Sequence, residues 1–120
     1  MTRFLRYTAI GAVATAGHYL AMTALVESVQ VAPWIASGVG AVLGAQIAFL
    51  GNRNFTFDHQ GKAGPAWIKF MGTALLGALL GMAIVAVGVG SGWHYLAAQV
   101  LATLSSLVLT YALNRRWTFG

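Results

Sequence analysis

Tyr7 to Val26, Trp34 to Gly51, Ile68 to Val89 and His94 to Leu113 are apolar runs of 18 to 22 residues, and Lys69 is the one formal charge inside them. A helix needs about 20 such residues to cross the ~30 Å hydrocarbon core of a bilayer, so the runs predict an all-α membrane protein with four transmembrane helices. With 58% hydrophobic and 8% charged residues, little sequence is left for a soluble domain, which carries about 25% charge. A cleaved signal peptide is the competing reading of the N-terminus, with Ala14-Thr15-Ala16 as a cleavage-like site. The first run continues past that site to full spanning length, which favours a retained helix.

The charges orient the spans. All seven Lys and Arg lie at the N-terminus (Arg3, Arg6), in the middle loop and its edges (Arg53, Lys62, Lys69) or at the C-terminus (Arg115, Arg116). The loops Glu27–Pro33 and Gly88–Trp93 have none. Four spans place the three basic regions on one side, and the positive-inside rule makes that side cytoplasmic. The expected location is the inner membrane, multi-pass, with both termini cytoplasmic. The net charge of +5 then reflects topology and contact with anionic membrane lipids, and nucleic acid is not an expected partner. No cysteine is present, which excludes disulfides and thiolate chemistry.

A second feature fixes the internal organisation. Asn52-Arg53-Asn54-Phe55-Thr56-Phe57 returns as Asn114-Arg115-Arg116-Trp117-Thr118-Phe119, 62 residues later at both ends. At the same offset Ala36, Gly40, Gly44 and Ala48 fall opposite Ala98, Ala102, Ser106 and Thr110, each set a narrow stripe of small side chains on a helix. The reading is one membrane domain, 1–120, built from two parallel two-helix repeats about an axis along the membrane normal. Repeat one is 1–57 with helices near 7–26 and 34–51, a cytoplasmic loop follows at 58–65, and repeat two is 66–119 with helices near 68–89 and 94–113.

Three groups of residues can carry chemistry. Arg53, Arg115 and Arg116 sit at headgroup depth, where a guanidinium fork matches phosphate oxygens and Asn52 and Asn114 add amide donors. Interfacial anchoring by Arg and Trp is the plainer alternative, and duplication is what favours a shared anionic ligand. Arg6 and Lys69 open the first and third spans and complete a basic ring, or else snorkel to lipid phosphates. His18 is the only ionisable group well inside a span. It either faces a path or is a neutral histidine bonded to Gln46, Gln99 or a threonine. Gln46 and Gln99 are the other polar candidates for a translocation path. Gly40-x-x-x-Gly44 and Gly77-x-x-x-Gly81 read as sites of close helix packing. Glu27 and Asp58, the only carboxylates, fall on opposite sides of the membrane, so no catalytic residues are expected, and neither a metal site nor a cofactor.

Phe4-Leu5-Arg6-Tyr7, Gly11 and the two Asn-Arg-x-aromatic-Thr-Phe endings, together spanning essentially the whole chain, resemble the pattern of the GtrA-like family of small four-span membrane proteins. The resemblance implies translocation of a polyprenyl-phosphate-linked sugar across the cytoplasmic membrane for cell-envelope polysaccharide. It implies that sugar lipid as a partner; four short helices are few for a closed path, so a homodimer is expected as well, and a glycosyltransferase is the partner of the scaffold reading. The sequence departs from the family pattern at His18, where an acidic residue is common, and at Ala48 and Thr110, where an asparagine is common. Two other classes compete: a scaffold that recruits a glycosyltransferase or presents its lipid, and a small multidrug exporter. The exporter needs a membrane-embedded acid in the first span, where this chain has His18.

The orientation is checked by single cysteines in this cysteine-free chain. Cysteines at Ser28 and Ser91 label from outside intact cells and one at Gln60 does not; labelling of Gln60 with Ser28 protected reverses the topology.

Overall fold

The computed structural model describes residues 2–51 and 63–113, and the repeated Asn-Arg motif and most of the middle loop lie outside them. The described residues form four helices, α1 (Thr2–Ser28), α2 (Pro33–Gly51), α3 (Ala63–Gly90) and α4 (Tyr95–Leu113). Three are long and apolar enough to cross a membrane: α1 from Thr8, α2, and α3 from Trp67. The apolar run of α4 is shorter, Tyr95–Thr110. That helix carries Gln99, Thr103, Ser105, Ser106 and Thr110 along its length.

Helices α1 and α3 begin at residues 2 and 63, about five residues before their apolar runs. Hydropathy marks only the part of a helix that lies in lipid, and the backbone keeps its turns into the headgroups. Pro65 does not prevent this, because a first-turn N–H has no intrahelical acceptor to lose.

Two four-residue loops connect the pairs. Gln30 (φ 61°) and Gly92 (φ 95°) both take the left-handed conformation that ends a helix. After α3 the Trp93 N–H donates to the Gly88 carbonyl (2.9 Å) and the Gly92 N–H to Val89 (3.0 Å), the Schellman arrangement. After α1 the Val31 N–H reaches the Leu25 carbonyl (3.0 Å). Helix α2 then starts at Pro33, whose missing N–H is an orphan in a first turn. Helix α4 is capped by His94 Nδ1, which accepts the Leu96 N–H (3.1 Å). The ends of α1 and α3 (28 and 90), the starts of α2 and α4 (33 and 95) and the left-handed residues (30 and 92) are all 62 apart.

Neighbouring helices pack antiparallel in the order α1–α2, α2–α3 and α3–α4. Glycine makes the approach possible. A Cβ on Gly40 would stand 2.6 Å from the His18 carbonyl oxygen, and one on Gly44 3.0 Å from that of Ala14. In the other pair a Cβ on Gly77 would meet the Thr110 methyl at 2.8 Å, and Gly81 faces Ser106 and Ala102. Both glycine pairs singled out by their spacing therefore lie at helix crossings. A core of Met22, Ala36, Val85, Ala98 and Ala102 draws on all four helices near the loop end. Large apolar side chains such as Leu20, Val42, Leu79 and Leu104 point outward, as lipid-facing residues do.

Adding a methyl at Gly40 pushes against main chain, which cannot move aside. Gly40→Ala lowers the stability of the solubilised protein by about 1–3 kcal/mol, read from its thermal midpoint. Gly11→Ala, where a Cβ meets nothing within 4 Å, raises it by about 0.5–1 kcal/mol through helix propensity.

Candidate functional site

The close crossing at Gly40 presses α1 onto α2 at His18, and there a polar group assembles inside the bundle. The His18 ring lies against the Ser37 main chain. Ser37 Oγ donates to Gln99 Oε1 at 2.5 Å, and both side chains are buried. Gln99 Nε2 donates to Thr103 Oγ1 (3.1 Å) one turn along α4. The Tyr19 hydroxyl lies 2.7 Å from that same oxygen and donates to the Gln99 carbonyl at 3.4 Å. His18 and Tyr19 meet edge to face, ring centroids 5.4 Å apart.

Ser37 and Gln99 are 62 residues apart, so the bond joins matching positions of the two halves. The group sits on the line between α2 and α4, four residues (~6 Å) inside the loop ends of those helices. His18 Nε2 is buried without a hydrogen-bond partner among the described residues. In a dry interior such an atom costs about 1–3 kcal/mol unless a water or a ligand hydroxyl fills its place.

His18 and Gln99 are therefore brought together, through Ser37. Gln46 is not: it lies nine residues beyond Ser37 on α2, half a turn round the helix and ~13 Å along it. Its Oε1 accepts the Trp67 indole N–H (3.0 Å), and its Nε2 meets Met71 Sδ (3.2 Å), both on α3. Phe49 and Phe70 meet at a tilt of 56° beside them, centroids 5.6 Å apart. Arg6 and Lys69 are exposed near the starts of α1 and α3, at the end of the bundle opposite the loops. Asn52, Arg53, Asn114, Arg115 and Arg116 lie outside the described residues.

Ser37, Tyr19 and Thr103 were missed from the sequence. Serine, threonine and tyrosine are ordinary in spans, and only the offset, which pairs Ser37 with Gln99, singles one of them out. At the loop end the Tyr95 hydroxyl donates to Glu27 Oε1 at 2.7 Å, a second tie between α1 and α4.

The Ser37–Gln99 bond is measured by a double-mutant cycle. Ser37→Ala and Gln99→Ala each destabilise the protein, and their coupling is about 0.6–1.7 kcal/mol, the range for hydrogen bonds between membrane helices. Additive losses mean that the two residues do not interact.

A family model described as GtrA/DPMS, transmembrane domain, matches residues 6–119. No curated protein and no solved structure matches the chain.

Proposed function

The chain belongs to the GtrA/DPMS transmembrane-domain family, and on that premise we propose that it translocates a polyprenyl-phosphate-linked sugar across the cytoplasmic membrane, as a transporter and not as an enzyme. One observation carries the reading: the phosphate-matching sequence Asn-Arg occurs twice, directly after Gly51 of α2 and directly after Leu113 of α4. In this reading Asn52, Arg53, Asn114, Arg115 and Arg116 hold the lipid phosphate, with Arg6 and Lys69 around them. The common offset of helix ends and left-handed residues supports parallel repeats, 1–57 and 66–119, which set two arginine forks about one axis. The His18–Ser37–Gln99 group lies between α1, α2 and α4 and offers hydrogen bonds to a hydroxyl-rich head crossing the span.

A scaffold that presents the lipid carrier to a glycosyltransferase is the second reading. It is favoured by the position of Gln46, which faces α3 and not the polar group.

The test is transfer of a polyprenyl-phosphate sugar across proteoliposome membranes. A charge-assisted hydrogen bond contributes about 1.5–3 kcal/mol, so Arg53→Ala and Arg115→Ala each weaken binding about tenfold to over a hundredfold. Lysine at either position recovers part of this, because it keeps the charge without the fork. Unmodified transport by both folded alanine variants reduces the motif to an interfacial anchor. Absence of transport by the unsubstituted protein, with a glycosyltransferase still bound, selects the scaffold.

A further inference from the structure

The offset of 62 pairs two corners at the loop end of the bundle. The α1–α4 corner carries Glu27, His94 and Tyr95, and the matching α2–α3 corner carries Val89, Ala32 and Pro33. One corner is therefore apolar, and the other has an exposed carboxylate. Glu27 stands where its own helix repels it. It lies in the last turn of α1, whose free carbonyls are already negative, and no basic residue shares that turn. Arg6 is twenty-one residues back along α1, ~32 Å, and neither loop has a Lys or Arg. Among the described residues the carboxylate takes one hydrogen bond, from the Tyr95 hydroxyl at 2.7 Å, and that bond brings no positive charge. The Tyr95 ring is held in place: it packs against the core and stacks on His94, centroids 4.7 Å apart. His94 Nδ1 accepts the Leu96 N–H, so the ring proton is on Nε2, and His94 is exposed.

We propose that Glu27, Tyr95 and His94 form a binding site for a primary ammonium group carried by a membrane-borne ligand. The missing counter-charge of Glu27 comes from that ligand. An ammonium has three N–H donors, and here two kinds of acceptor stand side by side, the carboxylate and the lone pairs that the phenol oxygen keeps while it donates to Glu27. The His94 Nε2–H donates to an oxygen next to the ammonium, a phosphate oxygen in an ethanolamine headgroup or a hydroxyl in an amino sugar. The corner is at the ends of membrane-spanning helices, the depth at which such heads lie. A hard metal cation does not fit, because it takes six or more oxygens, and among the described residues no three His, Asp or Glu come together. The site goes beyond the transport proposed above and does not depend on it.

The experiment takes the full-length protein from mixed micelles into native mass spectrometry and counts the molecules it retains. Two probe pairs are used: phosphatidylethanolamine with its N-acetyl form, and a polyprenyl-phosphate-linked amino sugar with its N-acetyl form. Acetylation removes the ammonium and leaves the phosphate and chains. In at least one pair the ammonium form is retained about tenfold more than its partner. A preference in the first pair identifies a phospholipid headgroup as the ligand, and one in the second the head of a lipid carrier. Glu27→Gln still accepts the Tyr95 hydroxyl, so it removes the preference and leaves the thermal midpoint unchanged. A readout on the unsubstituted protein stands beside it: phosphatidylcholine keeps the charge without the N–H donors and is retained about tenfold less than phosphatidylethanolamine. No preference in either pair, a preference that survives in folded Glu27→Gln, or equal retention of phosphatidylcholine where phosphatidylethanolamine is preferred overturns the site.

Discussion

Two membrane helices gain nothing by hiding apolar surface from lipid, so what holds α1 against α2 is contact between their backbones. Gly40 and Gly44 remove the side chains that would hold them apart, and the carbonyls of His18 and Ala14 occupy the space. Much else follows from that approach. It carries the His18 ring to the Ser37 main chain, and Ser37 is then held where its hydroxyl reaches Gln99. Gln99, so fixed, shares Thr103 with Tyr19 and binds α1 back to α4. Lipid offers no hydrogen bonds to any of these groups, so each partner matters more here than in water.

The fold was legible because lipid imposes a simple code. Apolar runs long enough to span need no tertiary information to be read as helices. The packing of Gly40, Gly44, Gly77 and Gly81 was legible for the same reason, since small residues four apart mark a crossing. The site was only partly so. His18 and Gln99 stand out as polar residues in apolar surroundings. Which polar residues share a face with them depends on rotation about the helix axis, and Gln46 is half a turn from Ser37. The Trp67–Gln46 bond was not legible either; at the offset of 62 these positions are Leu5 and Val108, both exposed.

The helix endings at 30 and 92 bear on how freely the chain can vary. Both have the left-handed backbone, yet one is Gln30 and the other Gly92. For a residue with a Cβ that conformation costs about 1–2 kcal/mol, least for asparagine and aspartate and most for β-branched residues. Position 30 therefore already spends most of its tolerance: glycine, asparagine or aspartate improve the turn, and valine, isoleucine or threonine worsen it. At Gly92 every replacement starts from an unstrained reference and moves uphill. The same backbone shape thus gives the two loops different freedom to drift, wide at one and narrow at the other.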